Sequence, residues 1–316
     1  GAALTALRIF AIVFGHPELG PDEGQYWFWS QSPAFGYFSK PPLIAWSIAA
    51  TTALFGDSEG AVRLSAPLYQ FGAAAFLFAL TRRLAGQREA FFAGVAWLTL
   101  PGVFLSSALI TTDAPLTFFW SAALYYFFGL TDGDDKSRKR SHAALLGAAI
   151  GLGFLSKYAM SYFLIGGAAA LAFSPLQCRA AGVGNLALAG AVAVAVFAPN
   201  IWWNAENDFQ TLSHTAANAN WDQSFGHPEQ AIKFLGDQVA IAGPIMLGLI
   251  IIAAFLGRRG EDAVGRNRLF ALLAFSIPVL AIVTAQAFIS RAHGNWAAVA
   301  YPSAVAMAAI YACRSR

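Results

Sequence analysis

The chain is 316 residues long, 57% hydrophobic and only 12% charged, with a formal net charge of +3. Soluble domains carry about 25% charged residues, so this composition, with its long apolar runs, excludes an ordinary soluble protein and indicates an all-α membrane protein. The basic residues sit in short clusters between apolar segments, which removes a nucleic-acid-binding face. Cys178 and Cys313 stand alone and far apart, giving neither a disulfide nor a CxxC metal site.

In chain order, segments long enough to cross or nearly cross a bilayer of about 30 Å run over residues 2–15, 64–84, 90–110, 114–130, 143–155, 159–173, 186–201, 239–256, 269–288 and 296–312. That predicts about ten spans. The first begins inside an apolar stretch without an initiator Met, so the chain reads as a piece of something longer, truncated at one or both ends. Ser156-Lys157-Tyr158 divides a run too long for one helix into a tight hairpin. With the N-terminus inside, Arg82, Arg83, Arg88, Lys136, Arg138, Lys139, Arg140, Arg179, Arg258, Arg259, Arg266, Arg268, Arg314 and Arg316 fall on the cytoplasmic side, and Lys40, Arg63, Lys157, Lys233 and Arg291 on the other. Cytoplasmic loops show this bias. One polytopic domain over 1–316 is expected, with two sizeable outer segments at 16–63 and 200–238. Their aromatics, Tyr26-Trp27-Phe28-Trp29 and then Trp202, Trp203 and Trp221, fit interfacial helices at headgroup level.

The outer face collects the residues able to do chemistry. Asp22 and Glu23 are adjacent carboxylates just after the first span, a costly placement near lipid. Gly20-Pro21 before them supports a helix start with acids in the first turn, and that capping reading stands beside a catalytic one. Lys40, in Tyr37-Phe38-Ser39-Lys40-Pro41-Pro42, is a cation on a Pro-fixed backbone, suited to phosphate whether by snorkelling to lipid or as a ligand. Asp113, in Thr111-Thr112-Asp113-Ala114-Pro115, reads as a helix cap or as a second acid of the site. Lys157 at the hairpin tip and Arg291 are interface anchors or further phosphate contacts. Tyr26, Trp27, Tyr37 and Trp202 offer stacking walls for a sugar or lipid head. His16, His214, His227 and His293 lack ligand spacing, so no dedicated metal site is expected and only a divalent cation is left open as a cofactor.

Three stretches, Asp22-Glu23-Gly24-Gln25-Tyr26-Trp27-Phe28-Trp29-Ser30, Gly36-Tyr37-Phe38-Ser39-Lys40-Pro41-Pro42-Leu43 and Arg63-Leu64-Ser65-Ala66-Pro67, together resemble the first outer loop of GT-C class membrane glycosyltransferases. The branch resembled is the bacterial relatives of protein O-mannosyltransferases and of the lipid A aminoarabinose transferase. Thr112-Asp113-Ala114-Pro115-Leu116, Ser156-Lys157-Tyr158, Pro199-Asn200-Ile201-Trp202-Trp203-Asn204 and Asn295-Trp296-Ala297-Ala298-Val299-Ala300-Tyr301-Pro302 follow the same family in kind and order. The resemblance implies transfer of a sugar from a polyprenyl-phosphate donor to a lipid, glycan or protein acceptor at the periplasmic face of the bacterial inner membrane. It implies Asp22 as base or acceptor-positioning acid, Glu23 as its partner, Asp113 as a further acid and Lys40 as the donor-phosphate contact, with a weaker carry-over to Lys157 and Arg291. An inverting displacement suits this set, since a base serves the acceptor hydroxyl and a cation the departing phosphate. The competing reading is a transporter or flippase of lipid-linked sugars, which calls for ionisable residues at mid-membrane. Arg8 is the main residue of that kind.

Overall fold

The computed structural model describes residues 1–15, 18–131, 135–173, 180–221, 226–257 and 263–314. His16, Cys178, Arg179, Arg258, Arg259 and Arg316 lie outside these residues. Among the described residues every regular element is helical. The α-helices are α1 Ala2–Phe14, α2 Pro21–Ser30, α3 Leu43–Phe55, α4 Glu59–Arg63, α5 Ser65–Leu84, α6 Gln87–Thr99, α7 Pro101–Ala108, α8 Asp113–Thr131 and α9 Lys136–Ser156. They continue as α10 Ser161–Ala172, α11 Val183–Glu206, α12 Gln210–Ala217, α13 Pro228–Ala242, α14 Pro244–Leu256, α15 Ala263–Ala274, α16 Ile277–Ile289 and α17 Tyr301–Arg314, with 3₁₀ turns at Tyr158–Met160 and Gly294–Ala300.

Length and apolarity make four helical stretches able to cross a membrane, Glu59–Leu84, Val183–Glu206, Val264–Ile289 and Gly294–Arg314. They become six if each of two bent pairs counts as one span, and α1, α3 and Tyr158–Ala172 are shorter apolar helices. The chain is thus a multi-pass helical membrane protein. Two predicted spans are broken rather than straight. The segment at 90–110 bends by 59° between α6 and α7, where Leu100 is extended and Pro101 brings no N–H to continue the ladder. The segment at 239–256 is bent by 107° between α13 and α14, at Gly243 with φ +75° followed by Pro244. The predicted 114–130 and 143–155 correspond to α8 and α9. Asp113, Trp120 and the Tyr125-Tyr126 pair dilute the apolar character of α8, and Lys136-Ser137-Arg138-Lys139-Arg140 does the same for α9.

Both helices are nevertheless packed inside the bundle. α9 runs between α8 and α11, and α5 lies along α6 and α8. The approach of α9 to α11 depends on Gly147 and Gly151, one turn apart. A Cβ at Gly147 would stand 2.3 Å from the Ala189 carbonyl oxygen, and one at Gly151 would stand 2.6 Å from Val196 Cβ. Without a hydrophobic drive between helices in lipid, such small-residue seams let dispersion and backbone contact hold the pair.

Arg8 is the main basic residue placed along an apolar span, and its surroundings account for it. It is buried on α1 and donates to Ser107 Oγ at 3.1 Å and to the Leu98 carbonyl at 2.5 Å, with its guanidinium 5.5 Å from the Phe104 ring centre. The break at Leu100-Pro101 removes Leu98's helical partner, so Arg8 satisfies a carbonyl that the bend leaves open.

Gly147→Val should drive a side chain into the α11 backbone and cost about 1–3 kcal/mol. Gly190→Ala on α11, where an added Cβ meets nothing within 4 Å, should leave stability unchanged or slightly raised. Thermal unfolding of the two variants in detergent checks the contrast.

Candidate active site

The first outer loop is organised by Glu23. α2 starts after Gly20 with Pro21 in its first turn, and Glu23 at the third position reaches back to accept from the Gly20 N–H at 2.9 Å. Capping therefore explains Glu23, though it is only part of what the carboxylate does. Arg63, 1% exposed, donates Nε to Oε1 at 2.7 Å and Nη2 to Oε2 at 2.5 Å, and the Ile110 N–H donates to Oε1 at 3.0 Å. The same Arg63 also donates to the Glu18 carbonyl at 2.8 Å. Burial pushes the Glu23 carboxyl up, but the Arg63 bonds, the two backbone amides and the Arg63 charge outweigh it, and Glu23 stays below the usual glutamate value. A carboxylate with four donors on it is an anchor. The catalytic role expected for Glu23 from its pairing with Asp22 does not fit this geometry.

Asp22, one residue earlier on the helix, is exposed. Asp113 opens α8 and is buried, with Oδ1 accepting from Lys157 Nζ at 2.7 Å and Oδ2 accepting from Asn295 Nδ2 at 2.7 Å. Lys157 sits where α9 ends, on extended backbone at φ −164° and ψ 138°, so its side chain meets α8 across the hairpin. Lys40 belongs to the same cluster. Burial first, and then the Lys157 charge, holds its ammonium below the ordinary lysine value, opposed by Asp22 and Asp113. Among the described residues nothing hydrogen-bonds or ion-pairs with the Lys40 ammonium. Four groups from four distant stretches of sequence thus share one electrostatic neighbourhood.

The loop carrying Lys40 is fixed by bonds to the second outer segment. Tyr37 stacks on Trp29 with centroids 4.9 Å apart, and its hydroxyl donates toward the Trp29 and Ser32 carbonyls at 3.2 and 3.3 Å. Thr211 on α12 donates to the Tyr37 carbonyl at 2.6 Å, and Asn200 on α11 donates to that of Phe35 at 2.7 Å. Gly36 lies flat against Trp203, and a Cβ there would come within 2.3 Å of the indole.

The expected stacking walls therefore turn out differently. Tyr26 is 3% exposed in a small core with Ile44, Ile48, Val62 and Ala66, where burial and then the charges of Asp22 and Asp113 raise its pKa. Tyr37 is a buried strut, Trp27 is half-buried and donates Nε1 to Asp57 at 3.1 Å, and Trp202 is 70% exposed while its neighbour Trp203 packs on the loop. Arg291 is exposed and makes no hydrogen bond or ion pair with Asp22, Lys40, Asp113 or Lys157.

The concave surface instead opens behind Asp113. A cavity of about 400 Å³ lies between α5, α7, α8, α13 and α17, lined among others by Gln70, Trp97, Thr111, Asp113, Asn295 and Tyr301. That is within the range of small-ligand pockets. Gln70, 1% exposed, donates to Ser106 Oγ at 2.9 Å and Thr117 Oγ1 at 3.2 Å and accepts from Trp97 Nε1 at 3.1 Å. Lone polar residues inside apolar spans were the available signal for Gln70 and Thr117, and the Asn295-Trp296 motif was the signal for Asn295. No described group of three or more His, Cys, Asp and Glu residues forms a metal cluster. His227 lies 3.1 Å from Glu229, and His293 packs on Trp296. Both oxygens of Asp113 accept hydrogen bonds, from Lys157 and from Asn295.

Residues 39–203, just over half of the chain, match the family described as dolichyl-phosphate-mannose-protein mannosyltransferase. The chain belongs to this family. The matched stretch contains Lys40, Asp113 and Lys157. This family member is 37% identical over 305 residues to the lipid A galacturonosyltransferase RgtD of Rhizobium johnstonii, covering 96% of this chain and 63% of that one. It is 28% identical over 171 residues to the undecaprenyl phosphate-alpha-4-amino-4-deoxy-L-arabinose arabinosyl transferase of Aeromonas salmonicida, covering 48% of this chain and 31% of that one. Its fold matches the crystal structure of ArnT from Cupriavidus metallidurans bound to undecaprenyl phosphate with a TM-score of 0.79 at 20% identity, covering 99% of this chain and 59% of that one. The family member therefore has the GT-C fold, and it spans less than two thirds of each of these proteins.

Removing either partner of the buried pair, by Glu23→Gln or Arg63→Met, should cost about 3–5 kcal/mol, read as a fall in Tm in detergent. Because the folded-state pKa of Glu23 is lowered, its contribution is complete above the ordinary glutamate range and is lost as pH falls through that lowered value. The Glu23→Gln protein should lack this acid-side loss.

Proposed function

We propose that the chain transfers a sugar from an undecaprenyl-phosphate-type donor to an envelope acceptor, with a lipid A-type glycolipid favoured over a glycan or protein, by a single inverting displacement. The observation that carries this reading is the convergence of an exposed carboxylate, Asp22, and an ammonium with no bonding partner among the described residues, Lys40, on the Asp113–Lys157 pair, whose acid lines the cavity. The relatives' names supply the donor and acceptor classes. The site is read as periplasmic, in the bacterial inner membrane, on a chain crossing about ten times with its N-terminus inside, and the charge asymmetry of the loops supports that sidedness.

In this mechanism the acceptor hydroxyl attacks the anomeric carbon as the bond from that carbon to the phosphate oxygen breaks. Asp22 takes the hydroxyl proton, and the electron pair leaves on the phosphate, which gains negative charge. Lys40 meets that charge where it develops, and this is where a fixed cation accelerates a reaction most. Asp113 is a positioning acid, since Lys157 and Asn295 already occupy its two oxygens. The cavity behind it takes the sugar ring, with Gln70 held by three polar partners as a rigid part of the wall.

The purified protein, given a labelled undecaprenyl-phosphate sugar and lipid A, tests this directly. Asp22→Asn should lower kcat by roughly 10²–10⁴. Lys40→Ala should lower it by roughly 10²–10³. Full transfer by Asp22→Asn would remove the base assignment, and movement of the donor across vesicles without transfer would favour a flippase.

A further inference from the structure

An ammonium is a point charge about which a phosphate can rotate, and fixing the anion's orientation needs a second donor set at an angle to the first. The structure offers one outside the residues assigned so far. α12 is fastened to the Lys40 loop by the buried Thr211 hydroxyl, which bonds the Tyr37 carbonyl at 2.6 Å. One helical turn on, the His214 ring packs edge-on against Phe38 with centroids 5.0 Å apart. Asn218, a further turn along, places its amide nitrogen 3.2 Å from His214 Nδ1. An amide nitrogen only donates, so Nδ1 accepts and the ring carries its proton on Nε2. In that pairing the neutral His214 ring presents its N–H at Nε2.

Among the described residues no acid hydrogen-bonds or ion-pairs with its ring. Burial and then the Lys40 charge hold the imidazole below its ordinary value. Lys40 in turn feels Lys157, whose charge is matched by Asp113. Along the row Lys157, Lys40, His214, Asp113 pairs with the first member and acts with Asp22 on the second, while only Lys40 acts on the third. Among the described residues, no hydrogen bond or ion pair joins an acid to either outer member. Phe38, 56% exposed, stands two residues before Lys40 and packs on the His214 ring, giving an apolar surface where a lipid chain would leave the phosphate.

We infer that His214 is the second ligand of the donor phosphate, its Nε2–H and the Lys40 ammonium together gripping the phosphate oxygens of the undecaprenyl-phosphate donor and product. This rests on the transferase reading above and adds a residue to it. Phosphate carries one negative charge as the sugar diester and gains more once the sugar leaves, so a His214 bond contributes most to holding the product-side phosphate.

The test separates hydrogen bonding from ring packing. His214→Phe keeps a ring on Phe38 and has no N–H, whereas His214→Gln loses the ring and keeps an amide donor. Binding of undecaprenyl phosphate to each purified variant is measured, with undecaprenol as the phosphate-free control, alongside KM for the donor. His214→Phe should bind undecaprenyl phosphate roughly tenfold more weakly than His214→Gln, with a matching rise in KM and no difference toward undecaprenol. If His214→Phe binds undecaprenyl phosphate as tightly as His214→Gln does, or if undecaprenol shows the same difference, the assignment is overturned. Lys40→Ala in the same assay keeps the two proposals apart. Unchanged affinity there would count against the Lys40 site, while the comparison at position 214 is read independently.

Discussion

A guanidinium and a carboxylate buried together hold the outer end of this bundle. Arg63 ends the short α4, Glu23 belongs to α2, and their pair also takes in the Gly20 and Ile110 amides and the Glu18 carbonyl. Three stretches are tied at one point: the chain leaving α1, the helix leading into α5, and the turn before α8. Two charges sealed from water in this way cost several kcal/mol to desolvate, and they are tolerated because every oxygen of Glu23 has a donor. The reward is geometric. With Glu23 turned inward, its neighbour Asp22 is turned outward on the same helix turn, and the Ile110 bond sets where α8 and hence Asp113 begin.

The cluster that follows has a graded electrostatic character. Asp113 and Lys157 neutralise each other, with Asn295 completing the acid's partners. Farther out, no hydrogen bond or ion pair among the described residues takes up Asp22 or Lys40, as the roles proposed for them require. Fixed dipoles and charges already oriented toward a reacting phosphate need no rearrangement during the reaction. The network from Thr211, Asn200 and Trp203 to residues 35–37 supplies that fixity for the Lys40 loop.

Much of this was legible in the sequence. Composition and loop charge gave the membrane class, and the acidic pair, the Lys40 motif and Thr112-Asp113 marked the loops that converge. Local reading failed wherever partner choice was decided by the fold. Nothing within 22–23 tells which acid faces inward, because Arg63 is forty positions away. Aromatic density at 26–37 signalled a stacking wall, yet Tyr26 and Tyr37 are used for packing, since a loop at a membrane surface needs its own core. The two broken spans contained visible prolines at 101 and 244, but the angle of a break depends on what satisfies the freed backbone groups.

The break between α6 and α7 carries a consequence for how such a pocket diversifies. Leu100, Gly102, Val103, Leu105 and Ser106 all line the cavity, and the bend that places them is held from outside by Arg8 on α1. The shape of this cavity is thus partly governed by a helix that contributes nothing to its lining. Substitutions along α1 form a remote dial on pocket width, acting through the bend while the polar wall around Gln70 and Asp113 stays the same.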